Sequence, residues 1–195
     1  MPVPWIFGYG SLLPAGVAAL PDGAVPCRLR GWRRTWGVAM DNTRDLPGYK
    51  HYLTPEGERP DVMVAFLDIR PEDGGVVNGA AIPVGADELP GLDRRERNYH
   101  RVEVTGALDR PLDGGPVWAY AGRPAARERA ERGRRDGRLV VSRGYLERVA
   151  EGFAVLGERD VFERLTAPPR APFADLVLVR HAPVAEPRAT RQGTM

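Results

Sequence analysis

The sequence is poor in several residues that usually announce a chemistry. Among its 195 residues there is one cysteine, Cys27, so no intrachain disulfide can form. Cys27 sits in Val25-Pro26-Cys27-Arg28-Leu29. A buried inert thiol is the expectation there, because a nucleophile needs a basic partner and none is evident. Three histidines, His51, His100 and His181, stand far apart and lack the spacing of paired metal ligands. Of 28 basic residues only Lys50 is lysine, a bias that fits GC-rich coding. The formal net charge of +2 is too small to argue for a nucleic-acid partner. No apolar run approaches membrane-spanning length, and no basic segment followed by an apolar stretch opens the chain. The expectation is a cytoplasmic protein with no membrane partner. Neither a repeat nor a linker is visible, so residues 1–183 are expected to form one domain, with a flexible tail over 184–195.

What is present reads as mixed secondary structure. Val3 to Gly8 is a short apolar strand ending at glycine. Arg28 to Val38 is a second strand, anchored by Leu29, Trp32 and Trp36. Asp41 to Pro60, rich in proline, glycine and charge, reads as a long surface loop. Asp61 to Ile69 and Val76 to Val84 read as strands of a hairpin around Glu72-Asp73-Gly74-Gly75. Asp87 to Arg97 is predicted helical, starting near Leu89 because proline is tolerated in a first turn. Arg101 to Leu108 and Val117 to Ala121 are two more strands. Arg123 to Arg138 is dense in arginine, interleaved with Glu128, Glu131 and Asp136. Ser142 to Leu156 is the clearest helix, capped by Ser142, with Tyr145, Val149, Phe153 and Leu156 on one face. Asp160 to Leu165 reads as a short helix and Leu176 to Val179 as a last strand. The sum is an α+β domain on a mixed, strongly curved sheet.

Two features carry chemistry. Phe7-Gly8-Tyr9-Gly10-Ser11-Leu12-Leu13 follows the first strand, and its two glycines let backbone N–H groups approach a ligand. It has neither the third glycine of a dinucleotide fingerprint nor the Lys-Ser/Thr of a phosphate loop. Nor is it Gly-x-Ser-x-Gly, so Ser11 is not a nucleophile elbow. The second feature is Glu96. Leu89, Leu92 and Glu96 are spaced three and four apart, which puts them on one helical face. A carboxylate aimed where the leucines are aimed is partly desolvated, and that makes it a better base near neutral pH. A structural ion pair with a neighbouring arginine is the competing reading, and from this segment alone the favoured one.

Taken together, Gly-Tyr-Gly-Ser-Leu after the first strand and Leu92-Asp93-Arg94-Arg95-Glu96 followed by Tyr99 resemble the γ-glutamylcyclotransferase-like superfamily, and within it the ChaC group and its bacterial relatives. Arg28-Leu29-Arg30-Gly31-Trp32-Arg33-Arg34 is similar to that group's second strand, and Val77-Asn78-Gly79-Ala80-Ala81 to its hairpin return. The resemblance spans Trp5 to about Val104, and more loosely extends to Tyr145. It implies a mixed curved sheet or small barrel with flanking helices. It further implies that Tyr9, Gly10, Ser11 and Leu12 bind a γ-glutamyl group and that Glu96 is the catalytic acid/base. Tyr99, Tyr120 and Tyr145 match tyrosines that line the pocket in such proteins, though plain packing explains them equally well. The implied reaction cyclises a γ-glutamyl amide to 5-oxoproline and releases an amine, with no metal or cofactor. The expected partner is a small γ-glutamyl substrate. Asp41 to Pro60 and Arg123 to Arg138 have no counterpart in the pattern. A non-catalytic relative that binds an amino-acid-like ligand or a protein is a second reading, against which Glu96 itself argues. A third is a polyanion-binding face built from Arg123, Arg127, Arg129, Arg132, Arg134, Arg135 and Arg138. The interleaved acids point instead to a solvated surface.

Overall fold

A computed structural model describes residues 2–44 and 50–180; the expected tail over 184–195 and His181 lie outside them. Strand β1 (Trp5–Gly8) is followed by β2 (Val25–Asp41), β3 (Lys50–Leu53) and β4 (Met63–Pro83). Helix α1 (Leu89–Arg95), β5 (Tyr99–Glu103), β6 (Val117–Gly122) and α2 (Pro124–Arg135) come next. The chain continues through β7 (Leu139–Ser142), α3 (Arg143–Val155), α4 (Arg159–Leu165), β8 (Phe173–Ala174) and β9 (Val177–Arg180).

The main sheet is organised around β4. One edge of β4 is covered along its length by antiparallel β2, from Asp41 opposite Met63 to Val25 opposite Ala81. The opposite edge is shared. Antiparallel β1 takes one end, Trp5 opposite Pro83 to Gly8 opposite Ala80, and parallel β7 takes the other, at Met63 and Val64. Between those two partners the edge of β4 is left without a strand. The sheet runs β5-β6-β1-β4-β7-β8, so β5 and β8 lie at opposite ends and the sheet is open. The mixed α+β sheet with flanking helices is therefore found, and the small-barrel alternative is not. A separate two-stranded sheet pairs β3 with β9.

Three expectations change. The hairpin of Asp61–Ile69 with Val76–Val84 does not form. Both segments belong to β4 and pair in turn with β2, and Glu72 to Gly75 bulge out opposite Gly31. The residues read as a turn do turn, with Gly74 at φ 72°, but the chain resumes its direction. Next, the supposed loop over Asp41–Pro60 contains β3. Finally, most of the arginine-rich stretch is helix α2. It escaped a periodicity reading because its inward face is made of small residues, Ala126, Ala130 and Gly133. A Cβ on Gly133 would lie 2.7 Å from the Met63 Cβ, so the helix lies flush on the sheet.

The largest of three buried hydrophobic clusters draws on the sheet and on α3. Phe7, Leu29, Ile69, Val77, Val141, Val149 and Phe153 are each wholly shielded from solvent. Where β1 ends, the backbones of β1 and β4 come very close: a Cβ on Gly79 would lie 2.2 Å from the Gly8 oxygen and 2.9 Å from Phe7 Cζ. Gly79→Ala is therefore expected to destabilise the protein by about 3 kcal/mol, at the upper end of overpacking costs, because a backbone atom has to move. Thermal denaturation measures this against Gly106→Ala. That position has open space around it, and its substitution is expected to stay within about 0.5 kcal/mol. Equal midpoints for the two variants would contradict the assigned approach of β1 to β4.

Candidate active site

A cavity of ≈ 560 Å³ opens where β1 and β7 part along the edge of β4. Ser11 reaches it from the loop after β1, Phe66 from β4, Glu96 and Tyr99 from the segment after α1, and Tyr145 from α3. The small β3–β9 sheet closes a further side with Lys50, Tyr52 and Leu178. The glycine loop and the distal glutamate, far apart in the sequence, thus face one cavity.

Glu96 arrives there by a simple route. Helix α1 ends at Arg95, one residue sooner than a shared helical face requires. The Glu96 N–H nevertheless donates to the Leu92 oxygen at 2.8 Å, which keeps its helical register, and its own carbonyl accepts the Tyr99 N–H at 2.8 Å. Leu89 is buried, and Leu92 packs beside Ile6 and Tyr120. The Glu96 side chain is only 17% exposed, and its Oε1 accepts a bond from Arg95 Nε at 3.1 Å. Both readings of this residue therefore describe the same side chain. It forms an ion pair with a half-exposed arginine and it lines the cavity.

The loop after β1 is closed by the Leu13 N–H donating to the Gly10 oxygen at 2.9 Å. The amides of Gly10, Ser11 and Leu12 have no acceptor among the described residues. Gly10 packs tightly on β4: a Cβ there would lie 3.3 Å from Leu67 Cδ1 and 3.7 Å from Tyr145 Oη. Tyr9 is buried behind the loop and donates its hydroxyl to the Tyr120 carbonyl. Leu12 turns away to pack with Ile6, Leu89 and Tyr120.

The tyrosines divide. At the strandless stretch of β4, two hydroxyls take the place of a neighbouring strand. Tyr145 Oη accepts the Leu67 N–H at 3.4 Å, and Tyr99 Oη donates to the Leu67 carbonyl at 2.8 Å. The Ser11 hydroxyl is within hydrogen-bonding reach of Tyr145. Burial, with Glu96 adding to it, pushes both phenols above their usual range, so they stay protonated at neutral pH. Tyr120, matched by the resemblance to a pocket position, does not line the cavity. Its hydroxyl donates to Asp93 Oδ1 at 2.9 Å, on the far side of α1.

Two buried charges escaped the sequence reading. Arg34, 1% exposed, lies over the rings of Phe153 and Phe162 at 4.8 and 4.7 Å. It donates to the Tyr9 carbonyl at 3.1 Å and to Asn78, so it braces the start of the glycine loop. Burial lowers its pKa to about 9. Its neighbours Arg30 and Arg33 are exposed, and the bulge at Gly31 breaks the alternation that would have marked Arg34 as inward. Asp68 is fully buried. It accepts the Gly122 N–H at 2.7 Å and Arg127 Nε at 2.8 Å, tying β4 to β6 and α2. A lone charge inside Val64-Ala65-Phe66-Leu67-Asp68-Ile69 was its signal.

Arg127 is thus held by the core, as is Arg129, which donates to the Ala39 carbonyl and to Asn98. Arg134 and Arg138 pair with Glu131 and Asp61. The arginine run is consequently not a single outward face. His51 lies in β3 and His100 in β5. Among the described residues no group of three or more His, Cys, Asp or Glu side chains is placed to hold a metal. Burial pushes the Cys27 thiol up to about 11. No described helix is long and apolar enough to cross a membrane.

An open mixed sheet splits around a cavity, with a glycine turn on one side and a glutamate on the other, and this fold is similar to that of solved structures. The crystal structure of an uncharacterized protein from Homo sapiens matches 87% of this chain and 90% of its own, with a TM-score of 0.50 and 14% identity. A structure described as γ-glutamyl cyclotransferase covers 85% of this chain and 88% of its own, with a TM-score of 0.49 and 14% identity. A yeast γ-glutamyl cyclotransferase described as specific to glutathione covers 83% and 89%, with a TM-score of 0.42 and 14% identity. At 14% identity the likeness to the human protein bears on fold alone. No protein-family model and no curated protein matches the chain.

Proposed function

We propose that the chain is a γ-glutamylcyclotransferase-type enzyme that converts a γ-glutamyl amide to 5-oxoproline and a free amine in the cytoplasm. One observation carries this reading: a largely buried carboxylate, Glu96, faces the same cavity as the Ser11 loop, whose three successive amides have no internal acceptor. A carboxylate suits removal of a proton from an amine, and N–H groups without an internal acceptor suit an oxyanion.

The substrate brings its own nucleophile. Its α-amine attacks the γ-carbonyl, forming a C–N bond that closes a five-membered lactam. Glu96 accepts the proton that the α-ammonium must lose. The tetrahedral oxyanion rests against the Gly10 to Leu12 amides. Collapse breaks the original γ-amide bond, Glu96 returns its proton to the departing nitrogen, and the second proton shed by the attacking nitrogen as it becomes the lactam N–H passes to the released amine or to solvent, so the protein ends unchanged. Because attack is intramolecular, holding the glutamyl chain folded supplies much of the acceleration. Tyr99 and Tyr145, protonated and fixed on Leu67, shape the wall and hold the Ser11 loop in place.

The test is a panel of γ-glutamyl amines, dipeptides and glutathione, with 5-oxoproline followed by mass spectrometry. Release from at least one compound is expected. Silence across the panel, together with tight binding of an amino-acid-like ligand, would favour the non-catalytic reading.

A further inference from the structure

Arg34 is almost wholly buried, yet among the described residues no carboxylate touches it. Its Nε donates to Thr166 Oγ1 at 3.0 Å, its Nη2 to Asn78 Oδ1, and its Nη1 to the carbonyls of Asn78 and Tyr9 at 3.4 and 3.1 Å. An acid enters this network only one step further out. Asn78 Nδ2 donates to Glu158 Oε2 at 3.0 Å, and Glu158 is already paired with Arg28 at 2.6 Å. A buried cation without a carboxylate is costly, and its place over the Phe153 and Phe162 rings offsets only part of that cost. Methionine or leucine would pack on the same rings without incurring it. What an apolar side chain could not do is hold the Tyr9 carbonyl.

That carbonyl shares a peptide unit with the Gly10 N–H. The unit is trans, so its oxygen and its N–H point in opposite directions, and tying the oxygen to Arg34 turns the N–H away from Arg34. The next unit repeats the pattern: the Leu13 N–H holds the Gly10 carbonyl at 2.9 Å, which fixes the Ser11 N–H. Two successive units thus have their oxygens tied down and their N–H groups without an acceptor among the described residues, an arrangement suited to a negative oxygen. The donors behind the two units differ. Leu13 offers a neutral N–H, whereas Arg34, its pKa lowered by burial to about 9, is still charged at neutral pH. A cation on a carbonyl oxygen polarises the peptide and strengthens its N–H as a donor. Arg34, Asn78 and Thr166 are all outside the cavity lining, so this influence is exerted from behind the loop.

Resting on the cyclotransferase reading above, we propose that Arg34 is a positioning residue for the reaction: it holds and polarises the Tyr9–Gly10 peptide so that the Gly10 N–H meets the oxyanion.

The test separates kcat from KM and from stability, with each variant assayed well below its thermal midpoint and its folded fraction taken from circular dichroism. Arg34→Met is expected to lower kcat about 10- to 100-fold and to leave KM within about twofold, a smaller loss than removing an oxyanion donor outright. Arg34→Lys, which returns a positive donor, is expected to recover part of kcat. Val104→Ala truncates the core away from the loop and the cavity. It is expected to lower the midpoint and leave kcat unchanged. Where neither Arg34 variant folds, Asn78→Ala, which frees Nη2, carries the comparison, with a smaller fall in kcat expected. Wild-type kcat in the folded variant, whatever its KM, overturns the positioning role and leaves the cyclotransferase reading intact. If the wild type turns over no γ-glutamyl compound, NMR of the nitrogen-labelled protein decides, because the amide nitrogen of Gly10 responds to the bond on the carbonyl before it. A shift of the Gly10 resonance in Arg34→Met that exceeds the shift of Ser11 upholds the clamp and turns against the enzymatic reading. A Gly10 shift no larger than that of Ser11 overturns the clamp as well.

Discussion

Glu96→Gln is expected to lower 5-oxoproline release by a factor of about 100 to 10,000, the usual worth of a positioned proton-transfer group. Glutamine keeps the size of the side chain and an oxygen for the Arg95 bond, but it takes up no proton at neutral pH. The loss should fall on kcat, with KM little changed, because the substituted group still fills its place in the wall. Stability should change little. The Arg95–Glu96 pair is partly exposed on the arginine side, and pairs of that kind are worth at most about 1 kcal/mol. Matched thermal midpoints with a collapsed kcat would assign proton transfer to this residue. Equal turnover in the two proteins would remove Glu96 from the mechanism.

Asp68→Ala is expected to be the most damaging single truncation in the described core. Asp68 has no solvent exposure, and its oxygens accept the Gly122 amide at 2.7 Å and Arg127 at 2.8 and 3.2 Å, with Arg70 at 3.3 Å. Removing the carboxylate strands the Arg127 guanidinium and a buried amide, at a cost of about 3–5 kcal/mol. That is a large part of the 5–15 kcal/mol or so that stabilises an ordinary domain. The effect should reach the cavity, because Leu67, held by Tyr99 and Tyr145, is the next residue along β4. Urea unfolding measures the loss. Asp68→Ala combined with Arg127→Met should recover part of it, since the orphaned cation is then gone. If the single variant unfolds at the wild-type midpoint, this ionic junction contributes nothing to stability.

Much of the architecture was legible because its signals are local. The apolar start of β1, the Ser142 cap and four-residue spacing of α3, and proline near the start of α1 each act within a few residues. Ser142 does cap α3, accepting the Tyr145 N–H at 3.4 Å. The meeting of Ser11 and Glu96 was legible through a family pattern and not through any periodicity. What stayed hidden depends on partners far along the chain. The β4 bulge looks like a hairpin until β2 is seen to pair on both sides of it. Helix α2 hides because its buried face is alanine and glycine. Arg34 and Asp68 were hidden by the same logic: a charged residue is read as exposed, and only the tertiary contacts of Phe153, Phe162 and Arg127 make its burial tolerable. Tyr120 lies on the expected strand but not on the cavity wall, and its hydroxyl is directed by Asp93, which no spacing rule could have assigned.

The central position of β4 also bears on the order in which the molecule assembles. Its pairing with β2 needs closure only of the segment from Asn42 to Val62, whereas the Tyr9–Tyr120 bond joins groups 111 positions apart. Long closures carry the larger entropic toll and come late. The ribbon of β2 and β4 should therefore gain protection first in pulse-labelled hydrogen exchange during refolding, with β1 and β6 following. The chamber between them, which needs both ends of the chain's journey, would be the last part to take shape.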